Sequence, residues 1–234
     1  MFNFFIKLFR PKFNPGVAKD TRSKEAKALD FTHEELVYGV SPVTWIGKLQ
    51  SEWKKYEIRN QDGSSSCVMQ AIAKALETKG SSVYSAIYYR FRSNYPQKGM
   101  WLQDGGAIGK NMGAELESVK PSQNLNEDQM NQTVNVKPYA IKPKAYIFVP
   151  FKDIESIAQV IRDHKHCVLT FESNYQEWQS VPEYLGTPIQ WWHAVCGVDF
   201  TLYNGKKSII VSESWGIGAT QFNAQRVITS DFIT

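Results

Sequence analysis

Apolar positions in the first half of the chain recur at helical spacing, whereas those in the second half alternate or run together as strands do. Val68, Ile72, Ala75 and Leu76 fall on one face of a helix that Cys67 opens. Ser64, Ser65 and Ser66 precede it as candidate N-caps, and Gly80 after Lys79 suits its end. A second helical stretch, rich in Tyr and Arg, covers about 83–93, and a third pattern runs from Ala107 to Glu117. Asp104-Gly105-Gly106 is expected to break the chain between them. Thr32-His33-Glu34-Glu35-Leu36 reads as a short capped helix start. Residues 45–60 mix charge and aromatics without periodicity and are expected to wrap the domain. The stretch 120–137 is polar and reads as a long surface connection.

Beyond it the pattern changes. Residues 144–149 alternate into an apolar strand, 154–163 form an amphipathic helix, and Cys167 to Phe171 form a buried strand. His193 to Phe200 and Ser208 to Ser212 are two further strands. Asn204-Gly205 between them is a strong type I′ hairpin signal. The order is therefore a helical part (about 61–137) followed by a sheet part (about 138–234), an α+β arrangement with no internal repeat.

With 234 residues, the chain is long enough to bury a full core. Three cysteines (Cys67, Cys167, Cys196) are too few and of the wrong parity for a disulfide framework, which points to a reducing compartment or to a fold independent of bridges. No apolar run approaches the roughly 20 residues of a membrane span. The Phe-rich start carries its basic residues after the apolar ones, with no small-residue cleavage site, so no signal peptide is read. The expected location is the cytoplasm or a macromolecular assembly.

Charge is unevenly placed. Residues 1–27 hold seven basic and two acidic side chains, a net +5 against +4 for the whole chain, so the remainder is close to −1. A basic extension over 1–40 thus precedes a near-neutral domain over 41–234. It is a solvated tail, a docking arm for a protein partner, or a propeptide-like segment. No phosphate loop, dinucleotide fingerprint or zinc spacing occurs, so neither a cofactor nor a nucleic-acid partner is expected. His164, His166 and Cys167 invite a metal, but on a strand the two histidines share one face and Cys167 the other, so no metal site is expected.

Four features of the sequence point to thiol chemistry. Cys67 opens a capped helix, where the positive end of the helix dipole favours a thiolate. Gln61 stands six residues before it, an amide donor suited to an oxyanion. His193 begins a late strand as a candidate base, and Glu213, at the end of another, is a candidate orienter.

These residues resemble papain-like cysteine proteases. The run Gln61 to Cys67 is similar to that family's nucleophile segment, His193-Ala194-Val195 to its His-Ala-Val, and Ser214-Trp215-Gly216 to its Ser-Trp-Gly. The resemblance covers about residues 42–230. It implies a papain-like two-lobed α+β fold with an active-site cleft between a helical N-terminal lobe and an antiparallel-sheet C-terminal lobe. It also implies a peptidase acting on polypeptides: Cys67 as nucleophile, His193 as base, Gln61 as oxyanion donor and Trp215 shielding the base's hydrogen bond. Gly105, Gly106, Trp192 and Trp215 would line the substrate cleft.

The chain departs from that pattern at Val68, where the family has an aromatic, at Ser65, where it has Gly, and in lacking the framework cysteines. Most consequentially, Glu213 stands where the family has Asn. A carboxylate can orient an imidazole, as aspartate does in serine triads, but Glu is longer than Asn and its charge raises the base's pKa. Two other readings stay open: a catalytically silent papain-like fold serving as a binding module, and a thiol amidase acting on cell-wall or isopeptide bonds.

Overall fold

The computed structural model describes residues 42–53, 59–77, 84–85, 99–130, 154–173, 191–216 and 225–233. The extension over 1–40, the strand expected at 144–149, the helix stop at Gly80 and most of the helix expected at 83–93 lie outside them.

The helical lobe is built on α2 (Cys67–Glu77), with α1 (Gln50–Trp53) preceding it. The Gln70 N–H donates to the Ser66 carbonyl at 2.9 Å, which makes Ser66 the N-cap position. Burial extends beyond the apolar face: Cys67 to Ala75 are all buried, Gln70 and Lys74 included. α2 is a central helix, flanked by α3 (Leu102–Met112) on one side and by the sheet on the other.

α3 corrects the expected break. It begins at Leu102 and runs straight through Asp104-Gly105-Gly106. A Cβ at Gly105 would come within 2.7–2.8 Å of Ile72 Cδ1, Met69 Cε and Val68 Cγ1. The absent side chain lets the two helices approach, which outweighs the roughly 1 kcal/mol that a mid-helix glycine costs. The helix also stops earlier than its pattern implied. Gly113 turns the chain at φ +70, and Glu115–Leu116 (β2) pair antiparallel with Tyr84–Ser85 (β1), where a helix was expected.

The polar stretch after β2 is likewise not all surface. Ser122 is buried, and α4 (Glu127–Met130) places Met130 in the core. The cause is a buried guanidinium. Arg59 donates to Gln70 Oε1 on α2 (2.6 Å) and to Ser122 Oγ (3.0 Å), and pairs with Glu77 (2.5 Å) and Glu117 (3.0 Å). Glu117 in turn accepts from the Ser122 and Gln123 N–H groups at 2.5 and 3.0 Å. A charge is buried only where its donors are satisfied, so this loop is drawn onto α2.

The sheet lobe carries four antiparallel strands in the order β3-β4-β5-β6: Cys167–Ser173, Trp191–Tyr203, Lys206–Ser212 and Gln225–Thr229. The β4–β5 hairpin turns at Asn204 and Gly205 with φ +50 and +77, the left-handed pair that a type I′ turn requires. β6 escaped the sequence reading. So did the route from α5 (Ile154–His164) to β3: His164 ends the helix and Lys165 turns at φ +71. His164 and His166 therefore do not share a strand face. Ile157, Ala158, Val160 and Ile161 of α5 pack on one face of the sheet with Val195, Ile209, Val211 and Ile228. On the other face Cys196, Val198, Ile210 and Val227 meet Ala75 of α2.

The segment 42–49 runs along the sheet edge, with the Lys48 N–H on Thr201 Oγ1 at 2.9 Å and Trp45 edge-on to Phe200 at 5.4 Å. Short α6 (Ser230–Ile233) closes the described chain. Among the described residues no helix is long and apolar enough to cross a membrane.

Candidate active site

Cys67, at the first turn of α2, belongs to the helical lobe, and His193, near the start of β4, to the sheet lobe. The site forms where the two lobes meet, and backbone pairing holds them there. Asn60 and Trp215 form an antiparallel bridge. The Gln61 N–H donates to the Ser214 carbonyl at 2.7 Å, and the Gly216 N–H to the Arg59 carbonyl at 3.1 Å. The segment leading into the thiol is thereby stitched to the segment leaving β5.

His193 Nε2 meets Glu213 Oε1 at 2.5 Å. Cys67 is near enough to the ring to raise its pKa, both as a hydrogen-bonding group and through its charge. The Trp215 ring lies against the imidazole at 4.6 Å, tilted by 34°. The whole arrangement is buried: Cys67 is 0% exposed, and His193, Glu213 and Gln61 are within 2% of that.

Burial by itself would lower the His193 pKa. The charge of Glu213, the hydrogen bonds to Cys67 and Glu213, and the charge of Cys67 together outweigh it and push His193 up to about 9. Burial likewise favours a protonated Glu213, but the charge and hydrogen bond of His193, the charge of Arg226 and the Ser214 N–H hold it below the usual carboxylate range. The pair is therefore an ion pair at neutral pH. Burial pushes Cys167 up to about 12, and burial first, then Cys167 and Glu77, raise Cys196 further. Neither is suited to act as a thiolate.

Gln61 is oriented at both ends of its amide. Its Oε1 accepts from Ser214 Oγ at 2.6 Å, and its Nε2 donates to the Ser64 carbonyl at 2.8 Å. An amide nitrogen carries a second N–H. The turn beneath it is set by Asn60, whose Oδ1 accepts the Asp62 N–H at 2.9 Å while Asp62 adopts φ +49.

Trp192 neighbours the imidazole on β4 and is half-buried, as are Trp215 and Gly106. Gly105 faces α2 as described, so its glycine identity is accounted for by helix packing. The sequence reading missed Arg226, on β6. Its Nε lies 3.4 Å from Glu213 Oε2, and its guanidinium stands over Trp215 at 5.9 Å. The available signal was a lone Arg opening the β-branched run Val227-Ile228-Thr229.

No protein-family model and no curated protein matches the chain. Solved structures do match in fold. The chain is similar to xylellain, a cysteine protease from Xylella fastidiosa (TM-score 0.69, 18% identity, covering 96% of this chain and 92% of that one). It is also similar to digestive procathepsin L2 proteinase from the Tenebrio molitor larval midgut (0.72, 16%, 94% and 73%) and to procathepsin B from Trypanosoma congolense (0.64, 14%, 92% and 80%). The fold is the papain-like two-lobed one, with a helical N-terminal lobe and an antiparallel-sheet C-terminal lobe.

Proposed function

We propose that the protein is a cysteine peptidase that cleaves peptide bonds through Cys67 and His193. One observation carries this: the buried His193 imidazole is paired with the Glu213 carboxylate and has its pKa raised by Cys67, which opens α2 at the positive end of the helix.

Chemically, the Cys67 thiolate attacks the peptide carbonyl carbon. The oxyanion that forms is held by the Cys67 N–H and by the second N–H of Gln61 Nε2. His193, as imidazolium, gives its proton to the departing amine, leaving an acyl-enzyme thioester. The neutral imidazole then takes a proton from water as the hydroxyl attacks the thioester, and the carboxylic acid leaves with the thiolate and imidazolium restored. Glu213 keeps the ring oriented, and Trp215 covers their hydrogen bond. The half-buried Trp192 and Gly106 border the substrate path. The basic extension over 1–40 is, in this account, a docking or propeptide-like segment ahead of the domain over 41–234.

The test is intact-mass labelling of the full chain with a peptide-based epoxide that traps active-site thiolates. Wild type is expected to gain a single adduct, Cys67→Ala none, and His193→Ala to react far more slowly. A folded wild type that stays unlabelled would overturn the proposal in favour of a non-catalytic module.

A further inference from the structure

Glu213 brings one negative charge into a buried site where the resembled family carries a neutral amide. Arg226 stands against it, with Nε 3.4 Å from Oε2, and the two side chains are 1% and 0% exposed. Building on the assignment of Cys67, His193 and Glu213, we propose that Arg226 is a positioning residue. It faces the second oxygen of Glu213 at ion-pair distance and offsets its charge, so that the thiolate and imidazolium form in a site of zero net charge.

The geometry divides the carboxylate cleanly. Oε1 takes His193 Nε2 at 2.5 Å and the Ser214 N–H at 2.9 Å, and Oε2 faces Arg226. Oε1 is hydrogen-bonded and Oε2 faces the guanidinium at ion-pair distance without a hydrogen bond between them, so the charge contact and the Oε1 bonds together favour one orientation of the carboxylate. Strand register sets the pair. Arg226 lies opposite Val211 on β5, and Glu213 follows Val211 by two residues, which makes Glu213 and Arg226 diagonal neighbours across the strands. Trp215 adds a second restraint, with its ring against His193 and beneath the Arg226 guanidinium.

Charge makes the case for function. The groups acting on His193 and Glu213 are Cys67, Arg226 and each other. Thiolate, imidazolium, carboxylate and guanidinium sum to zero. Without Arg226 the same site carries a net negative charge in a water-poor environment, and the thiolate is the group that this disfavours. Glu213 and Arg226 together therefore do what one neutral amide does in the resembled family, and neither suits the site without the other.

The test is the pH dependence of Cys67 alkylation by iodoacetamide in the full chain, read as the midpoint of the acid limb where the reactive thiolate appears. Arg226→Gln is expected to move the midpoint up by about one pH unit or more, roughly a tenfold slower reaction at a pH on the limb. Glu213→Gln moves it down, Arg226→Lys leaves it near wild type, and Glu213→Gln with Arg226→Gln brings it back toward wild type. A midpoint unmoved in Arg226→Gln overturns the proposal. So does a double variant that merely adds two losses, as a packing role predicts. Should Arg226→Gln not fold, Glu213→Gln decides: no downward shift there overturns the proposal. His193→Ala, run in parallel, separates the underlying assignment. If its acid limb equals that of wild type, Cys67 and His193 are not a functional pair and the inference falls with them.

Discussion

Gln61 is tied to Ser214 twice, backbone to backbone at 2.7 Å and side chain to side chain at 2.6 Å. The second link aims the Gln61 amide, because it occupies Oε1 and turns Nε2 toward the start of α2. If Gln61 serves as oxyanion donor, Gln61→Ala lowers kcat on a fluorogenic peptide by about 10²–10³. Ser214→Ala lowers it by about tenfold with KM little changed, as loss of an orienting contact does. An unaltered kcat in Gln61→Ala removes that residue from the mechanism.

Stability is expected to fall on the alkaline side. His193 is held at about 9 against an ordinary 6.5, so its stabilising contribution is complete below 6.5 and is lost as pH rises toward 9. Glu213 is shifted the other way, so its contribution is present above the ordinary 4.5 and is lost as pH falls below it. Urea midpoints should therefore peak between 4.5 and 6.5 and decline above. His193→Ala should flatten the alkaline decline, and a wild-type midpoint that rises between 6.5 and about 9 contradicts the ion pair.

Arg59 has the same kind of exposure to loss. Its guanidinium is buried against Glu77 and Glu117, and Arg59→Met removes the cation they share, leaving Glu77 to Lys74 and Glu117 to its Ser122 and Gln123 donors, at a cost of up to about 3 kcal/mol. Guanidinium chloride unfolding measures it, and Arg59→Met combined with Glu117→Gln should recover part of the loss. A change below experimental error would show that the network contributes no net stability.

Gly105→Ala tests the contact between α2 and α3. The new methyl meets three side chains at 2.7–2.8 Å, one of them the stiff Val68. Strain of about 1–3 kcal/mol exceeds the roughly 1 kcal/mol of helix propensity gained. The Tm is expected to drop by several degrees, and epoxide labelling of Cys67 to slow as α2 shifts. A higher Tm would mean that the helices have room that the packing denies.

What could be read from the sequence was local. The helix opened by Cys67, the periodicity of 154–163 and the Asn204-Gly205 turn each depend on neighbours within a few residues, so each carries its own signature. The motif order around Gln61, Cys67, His193 and Ser214-Trp215-Gly216 gave the two-lobed fold for a related reason: side chains that must converge leave fixed residue types at fixed offsets. What tertiary structure decided lies in contacts between distant segments. The pair Gly105-Gly106 looks like a chain break until α2 packs against Gly105, and a polar stretch after Glu117 looks like surface until Arg59, 58 residues before Glu117, draws it inward. Glu213 reads alone as an unfavourable charge beside the base. Only strand register brings Arg226 to its other oxygen, because the partner of a buried charge is fixed by which strands pair and not by any spacing along the chain.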